Sequence, residues 1–197
     1  MNNQTTVSVK VDHEEKILIL PKWKTARFWQ ELFIYFCAFA IVGHYLEIVW
    51  FMFRHLTTGS PMRWPITPIM LVAIPYGLGV VAIILLVIPL IKRYKLSLPK
   101  VFILNVLVSG VIEYTCAVII VMTEGYNEHW NYTSRPLNIN GFTCLEATII
   151  FGILATFFIY FIYPFCERLL QKLSNKQVLI IFLILAISYG VANWSAN

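Results

Sequence analysis

The stretch VFILNVLVSGVIEYTCAVIIVM, residues 101–122, contains one charged side chain, that of Glu113, in a run that is otherwise almost entirely apolar. A helix needs about 20 such residues to cross the hydrocarbon core of a bilayer. The stretch is long enough for this and too apolar to form the surface of a soluble protein. It therefore predicts a transmembrane helix.

Four more segments of comparable length and hydrophobicity flank this stretch. We predict transmembrane helices at residues 28–53, 66–91, 99–123, 143–166 and 177–194. Over the whole chain 59% of the residues are hydrophobic and 13% are charged, whereas about a quarter are charged in an ordinary soluble domain. The expected fold class is all-α, a polytopic membrane bundle of five transmembrane helices.

The chain divides into two parts, residues 1–27 and residues 28–194. The second part is the predicted five-helix transmembrane domain. In the first part, residues 1–15 are polar and favour a disordered cytoplasmic tail. Residues 17–27 combine a short apolar run with basic residues and predict a segment in the headgroup layer. We expect a multipass protein of the cell membrane, and we expect any ATPase that drives it to be a separate subunit.

The basic residues predict which side of the membrane each loop faces. Twelve of the 15 Lys and Arg residues fall before the first predicted span, after the second or after the fourth. The other three are Arg54, Arg63 and Arg135. Since cytoplasmic loops carry the excess of positive charge, we predict a cytoplasmic N-terminus and a C-terminus on the opposite, outer side. The net charge of +5 is therefore explained by the basic cytoplasmic loops. We do not expect a nucleic-acid partner.

Three acidic residues lie inside the predicted spans, namely Glu47, Glu113 and Glu146. Counted from the outer ends of their helices, they lie roughly 9, 15 and 5 Å deep. His44 precedes Glu47 by one turn and shares its helix face. Ionisable residues at such depths are costly and usually face a cavity or a partner. We therefore predict an outward-facing polar pocket.

The predicted outer loop between the third and fourth spans is rich in aromatic, amide and glycine residues, and Arg135 is its only Lys or Arg. A guanidinium pairs well with a carboxylate. Two alternatives follow. Arg135 is a structural counter-ion of Glu113 or Glu146, or it binds an anionic group of a ligand.

A short internal similarity links the two predicted outer hairpins. Each has a Glu in its ascending helix and an Arg followed by a Pro in its loop: Glu47 with Arg63 and Pro65, and Glu113 with Arg135 and Pro136. Parallel repeats of this kind occur in transporters. Chance explains so short a match about equally well.

The residues after the third span carry a specific resemblance. They read Trp130-Asn-Tyr132-Thr-Ser-Arg135-Pro136-Leu-Asn138-Ile-Asn140-Gly141, with Glu113-Tyr114 before them. This string closely resembles the bacterial family called putative ABC-transporter permease, or CmpB-like. Gly43-His44-Tyr45-Leu46-Glu47 and Ile74-Pro75-Tyr76-Gly77 are similar to two further strings of that family, although His44 stands where it usually has Trp. The resemblance covers roughly residues 32–170 and implies transport with a separate ATPase.

Our leading hypothesis is a small multipass membrane protein of transporter or permease type that binds a small polar or charged ligand. The candidate ligand-binding residues are Glu47, Glu113, Arg135, Asn138, Asn140, Glu146, His44, Trp130 and Tyr132. Five spans are few for a complete translocation path, so we expect a homodimer or a larger complex in the lipid bilayer. We expect neither a cofactor nor a bound metal.

Two other classes of function stay open. An intramembrane enzyme would use His44, Glu47 and Glu113 on a lipid-borne or small polar substrate, although the chain has no HExxH, GxSxG or paired-Asp motif. A non-catalytic partner subunit would use its buried ion pairs only to hold helices together. Metal content separates the enzyme from the transporter, and the effect of Glu-to-Gln changes identifies the structural role.

Overall fold

The computed structural model describes residues 6–11, 14–19, 24–59, 74–127 and 130–195. Five helices follow one another along the chain: α1 (Ala26–Thr58), α2 (Ile74–Tyr94), α3 (Leu98–Glu124), α4 (Leu145–Gln171) and α5 (Asn175–Ser195). Four short strands accompany them: β1 (Thr6–Val11), β2 (Glu14–Ile19), β3 (Asn138–Ile139) and β4 (Thr143–Cys144). The predicted all-α membrane bundle of five helices is confirmed.

Helices α1 to α4 are each long and apolar enough to cross a bilayer. The apolar part of α5, Asn175–Val191, is shorter than the other four. Its crossing of the membrane therefore stays a prediction, as does the orientation of the two termini. The first eight residues of the predicted second span, 66–73, lie outside the described residues.

The N-terminal segment contains an antiparallel hairpin. β1 pairs with β2 from Thr6 opposite Ile19 to Val11 opposite Glu14. We expected residues 1–15 to be disordered, and the structure instead pairs most of them. The physical reason is visible in β1, where valine alternates with polar residues, the period-2 pattern typical of a strand.

Helix α1 begins and ends at residues that satisfy its backbone. The hydroxyl oxygen of Thr25 accepts a hydrogen bond from the Phe28 amide at 3.3 Å, as an N-cap does. At the other end Gly59 takes a left-handed conformation, with φ of 65°, and donates its amide to the His55 carbonyl. Because of these caps, α1 extends beyond residues 28 and 53, the predicted limits of the first span.

The helices pack as two hairpins, α1 with α2 and α3 with α4, and α5 lies against α1. In each hairpin a glycine of the second helix packs directly against a side chain of the first helix. A Cβ added at Gly77 of α2 would lie 2.7 Å from the ring of Phe36. A Cβ added at Gly152 of α4 would overlap the side chain of Val106. Such small residues let the backbones of membrane helices approach closely.

The second helix of each hairpin has the same internal construction. A π-helical turn, Ile83–Val87 in α2 and Phe158–Ile162 in α4, is followed two residues later by a proline, Pro89 or Pro164. The spacing from the glycine at the helix contact to the π-helical turn is also identical in the two helices. The structure thus supports an internal repeat, although the Arg63 and Pro65 that suggested one lie outside the described residues.

The core of the bundle lies toward the predicted cytoplasmic end. It contains Leu32, Tyr35, Val80, Ile83, Ile84, Val87, Ile88, Val101, Ala155, Phe158 and Ile159. Both π-helical turns contribute to it. The loop that joins α3 to α4 lies at the opposite end, and this is where most of the predicted site residues are found.

Candidate functional site

Residues 130–144 form a compact loop that closes on itself, and we call them the outer loop. The indole of Trp130 donates to the Phe142 carbonyl at 2.8 Å, and the Tyr132 amide donates to the Gly141 carbonyl at 2.9 Å. The Asn138 amide group donates to the Arg135 carbonyl at 2.7 Å and accepts from the Gly141 amide at 3.0 Å. Trp130 and Asn138, both predicted to bind ligand, therefore hold the loop in shape.

The turn before β4 needs unusual backbone conformations. Leu137, Asn140 and Gly141 have φ of 52°, 55° and 72°, in the left-handed region that favours glycine. A Cβ on Gly141 would also lie 2.6 Å from the methyl of Thr133. Asn140 is exposed, and its side chain donates to the Tyr114 hydroxyl of α3 at 2.9 Å. This hydrogen bond joins the outer loop to α3.

Glu113 is the point where the outer loop meets the membrane helices. Its side chain is buried within α3, with 6% of the residue exposed. The Tyr132 hydroxyl donates to one carboxylate oxygen at 2.8 Å, and the Thr143 hydroxyl donates to the other at 2.5 Å. Both donors come from the outer loop. The loop is therefore hydrogen-bonded to both carboxylate oxygens of a residue within the membrane helix α3.

Tyr132 is suited to its role as a donor. Burial raises the pKa of its phenol well above the ordinary value, and the neighbouring Glu113 carboxylate raises this pKa further. The hydroxyl therefore keeps its proton at any physiological pH. In the hydrogen bond to Glu113, a neutral hydroxyl group therefore donates to a carboxylate. Hydrogen bonds with a charged partner are among the stronger ones in proteins.

Tyr76 of α2 brings Glu47 toward the same place. Its ring packs directly on Gly43 of α1 and meets the ring of Phe151 edge-on, with the ring centroids 5.5 Å apart. Tyr76 interacts electrostatically with both Glu47 and Glu113. Three helices and the outer loop thus contribute to one polar group of side chains, the outer cluster, which consists of Glu47, Tyr76, Glu113, Tyr132 and Thr143.

Arg135 lies apart from the outer cluster. Its guanidinium pairs with the Glu146 carboxylate at 3.2 Å, and the two side chains are 36% and 50% exposed. Of the two carboxylates considered as its counter-ion, the partner is Glu146. Glu113 and Tyr132 therefore belong to the outer cluster, whereas Arg135 and Glu146 form a more exposed pair between the outer loop and α4.

An apolar groove lies next to this exposed ion pair. It is open, has a volume of about 380 Å³ and is lined by Pro136, Leu137, Leu145, Glu146, Ile149 and Ile150. Among the described residues that line it, Glu146 is the only ionisable one. The groove is thus distinct in chemistry from the outer cluster.

Within the described part of the chain, no hydrogen bond, ion pair or ring contact joins His44 to the outer cluster. Its ring meets that of the adjacent Tyr45, with centroids 5.7 Å apart. Among the described residues no group of three or more His, Cys, Asp and Glu side chains is placed to hold a metal ion. His44 therefore shares a helix with Glu47 but has no role that the geometry assigns.

Sequence reasoning missed Tyr76 and Thr143 in the outer cluster, and it missed an ion pair at the other end of the bundle. Arg27 donates to the Glu31 carboxylate at 2.7 Å, to the Asn175 side chain at 2.6 Å and to the Leu170 carbonyl at 2.8 Å. Its spacing of four from Glu31 on one helix was the available signal. This network joins α1, α4 and α5.

The comparisons with known proteins agree with this architecture. A family model with the description "Putative ABC-transporter type IV" matches residues 34–194, which includes most of α1, all of α2 to α4 and the whole outer loop. No curated protein and no solved structure matches the chain significantly. The resemblance found in the sequence is confirmed, and the chain belongs to the "Putative ABC-transporter type IV" family.

Proposed function

We propose that this membrane protein of transporter type binds a small polar or charged ligand at the outer cluster, and that the outer loop controls access to it. The observation that carries the proposal is the double attachment of the loop to Glu113. Placing an ionisable residue at this depth is costly. A carboxylate with a purely structural role needs only a partner on a neighbouring helix.

The partners of Glu113 belong instead to the loop. A ligand that donates hydrogen bonds to this carboxylate competes with the hydroxyls of Tyr132 and Thr143. Its binding therefore weakens the attachment of the loop. Ligand binding and loop position are coupled through the same two oxygen atoms, which is the kind of differential contact that a conformational change requires.

The charge of the outer cluster suggests the kind of ligand. Glu47 and Glu113 both interact with Tyr76, whereas Arg135 is paired with Glu146 at the surface. The outer cluster therefore favours ligands that bring positive charge or hydrogen-bond donors. An anionic ligand would meet the carboxylates without a guanidinium between them.

The proposed setting is the cell membrane, with a homodimer or larger complex and a separate ATPase. The turns at the predicted cytoplasmic end are short, residues 95–97 between α2 and α3 and residues 172–174 between α4 and α5. An ATPase would therefore contact helix ends and the N-terminal segment rather than long loops. This assignment follows from the family and is a proposal for this chain.

The test is native mass spectrometry of protein purified gently from its own membrane, read for small molecules, metals and protein partners. Glu113→Gln removes the buried charge, and Glu146→Gln makes the same chemical change in the exposed pair as a control. We expect a small molecule bound to the wild type and to Glu146→Gln and lost from Glu113→Gln.

Two outcomes would overturn the proposal. A metal bound by the wild type and lost from Glu113→Gln would favour the intramembrane enzyme. No bound molecule in any sample, with Glu113→Gln merely less stable, would favour the non-catalytic partner subunit.

A further inference from the structure

The apolar groove beside the Arg135–Glu146 pair has one wall from the outer loop and one from α4. The first wall contains Pro136 and Leu137, and the second contains Leu145, Glu146, Ile149 and Ile150. The Leu145 amide donates to the Leu137 carbonyl at 3.3 Å, and the ion pair joins the same two segments of the chain. The two walls are therefore held together by the protein's own contacts.

The size of the groove selects the kind of ligand it can take. Its volume of about 380 Å³ lies near the lower end of the range for small-molecule sites and far exceeds what one ion or one water molecule fills. All of its described lining residues except Glu146 are apolar. The groove is also open, so a ligand in it stays in contact with whatever surrounds the protein there.

One face of α4 continues from the groove as an exposed apolar surface. Ile153 follows Ile149 by four residues, and Phe157 and Phe161 follow at the same spacing. Residues four apart share a helix face, and Ile153, Phe157 and Phe161 are 56%, 50% and 65% exposed. Since α4 is long and apolar enough to cross a bilayer, this face meets lipid chains. The groove therefore opens onto lipid at its inner end.

Leu137 gives independent support for a role of the apolar wall. It is 73% exposed, and its φ of 52° lies in a region that residues other than glycine and asparagine rarely adopt. So exposed a leucine gains little core packing that could offset this strain. Backbone outliers of this kind concentrate at functional sites. A ligand that packs on the Leu137 side chain accounts for a leucine at this position.

The charged groups at the groove can bind both charges of one headgroup. Arg135 and Glu146 meet through one guanidinium nitrogen and one carboxylate oxygen, 3.2 Å apart. A guanidinium has several further N–H donors, and the carboxylate has a second oxygen. The two side chains are also accessible, being 36% and 50% exposed. Arg135 can therefore donate to a phosphate while Glu146 accepts from an ammonium group.

We propose that the groove binds a phospholipid whose headgroup carries a phosphate and a primary amine, as in phosphatidylethanolamine. The phosphate lies at Arg135, the ammonium at Glu146, and an acyl chain follows the apolar face of α4. Phosphatidylglycerol would bring negative charge to Glu146 without an amine, and the quaternary ammonium of phosphatidylcholine has no N–H to donate. A second copy of the chain in the groove would bury the ion pair, which carries a desolvation cost.

The test is native mass spectrometry of the delipidated full chain in detergent. The protein is titrated with phosphatidylethanolamine, phosphatidylglycerol or phosphatidylcholine of identical acyl chains. We expect one phosphatidylethanolamine per chain, with a Kd about tenfold below that of the other two lipids, as a charged hydrogen bond contributes. Equal Kd values for the three lipids would overturn the proposal. The mass of the bound molecule distinguishes a lipid from a small ligand of the outer cluster, on which this site does not depend.

Glu146→Gln tests the carboxylate, because it removes the negative charge and keeps the shape of the side chain. We expect the preference for phosphatidylethanolamine over phosphatidylglycerol to be lost in this variant. Glu124→Gln makes the same change at an exposed residue of α3 that is not among the lining residues of the groove, and it should keep the preference. An undiminished preference in a folded Glu146→Gln would overturn the proposal.

Leu137→Ala tests the apolar wall, and Ile139→Ala is its control in the same loop, at a residue that is 58% exposed and not among the groove's lining residues. We expect the Kd for phosphatidylethanolamine to rise about fivefold in Leu137→Ala and to stay unchanged in Ile139→Ala. An unchanged Kd in a folded Leu137→Ala would contradict the proposal. A dimer that shows no lipid preference and dissociates in Leu137→Ala would identify the groove as an interface between copies instead. The comparison of lipids on the wild type decides the matter even if a variant fails to fold.

Discussion

The attachment of the outer loop to Glu113 predicts a local effect of Tyr132→Phe. The substitution keeps the ring and removes only the hydroxyl that donates to the carboxylate at 2.8 Å. Hydrogen bonds to charged groups contribute about 1.5–3 kcal/mol. Taking about 2 kcal/mol, opening of the loop becomes about 30-fold more frequent, since each 1.4 kcal/mol is a factor of ten. Glu113 keeps the Thr143 hydroxyl, so we expect the helices to stay folded.

The assay is amide hydrogen exchange of the protein in lipid nanodiscs. The amides to follow are those of Tyr132 and Arg135, which donate within the loop at 2.9 and 2.8 Å. We expect their exchange to be about 30-fold faster in Tyr132→Phe and unchanged within α3. Thr143→Val should act in the same direction. Tyr126→Phe, at a tyrosine that is 57% exposed, is the control. Wild-type exchange in Tyr132→Phe would refute the attachment.

Three further predictions test the backbone, the other end of the bundle and the orientation. Gly141→Ala should lower the free energy of unfolding by about 2 kcal/mol, because φ is positive there and the new methyl meets Thr133; a denaturant titration that finds no loss would contradict this. Arg27→Ala should cost about 2 kcal/mol and expose the turn before α5 to protease, since Arg27 joins α1, α4 and α5; an unchanged digestion pattern would count against it. In a cysteine-free background of intact cells, Ser134→Cys should react with a membrane-impermeant maleimide and Lys95→Cys should not, and the reverse result would invert the predicted topology.

The membrane made most of the fold predictable from the sequence. A helix in hydrocarbon must satisfy every backbone group internally and span a fixed thickness, so apolar runs locate the helices well. Their exact ends follow different rules. Helix α1 continues to Thr58, beyond the predicted residue 53, because Gly59 supplies the left-handed cap. The hairpin of β1 and β2 depends on strand pairing, which a count of polar residues does not detect.

The candidate site was predictable only in part, because its contacts join distant segments. Glu113 and Tyr132 were both selected from the sequence, but the bond between them depends on how the outer loop folds back. Thr143 gave no signal, since a threonine at a helix boundary is ordinary. The partner of Arg135 was undecided because Glu113 and Glu146 both lay near it in the predicted topology. Only the fold assigns it to Glu146.

The internal repeat explains why the outer cluster contains one carboxylate from each hairpin at different depths. The sequence suggests that Glu47 and Glu113 are equivalent, since each precedes an Arg and a Pro. The packing of the helices indicates a different correspondence between the residues of the two hairpins. Phe36 and Val106 make equivalent helix contacts, and the spacing from Val106 to Glu113 equals that from Phe36 to Gly43.

In this register Glu113 corresponds to Gly43, where the first hairpin has no side chain and the Tyr76 ring packs instead. Glu47 then lies one turn nearer the predicted outer surface than the position equivalent to Glu113. The Tyr76 ring packs against Gly43, and both carboxylates act electrostatically on its hydroxyl group. Replacing Gly43 with a larger residue should therefore displace Tyr76 from its place near Glu47 and Glu113, without changing either carboxylate. The asymmetry gives the two hairpins different roles at the outer end, while at the inner end they keep matching π-helical turns.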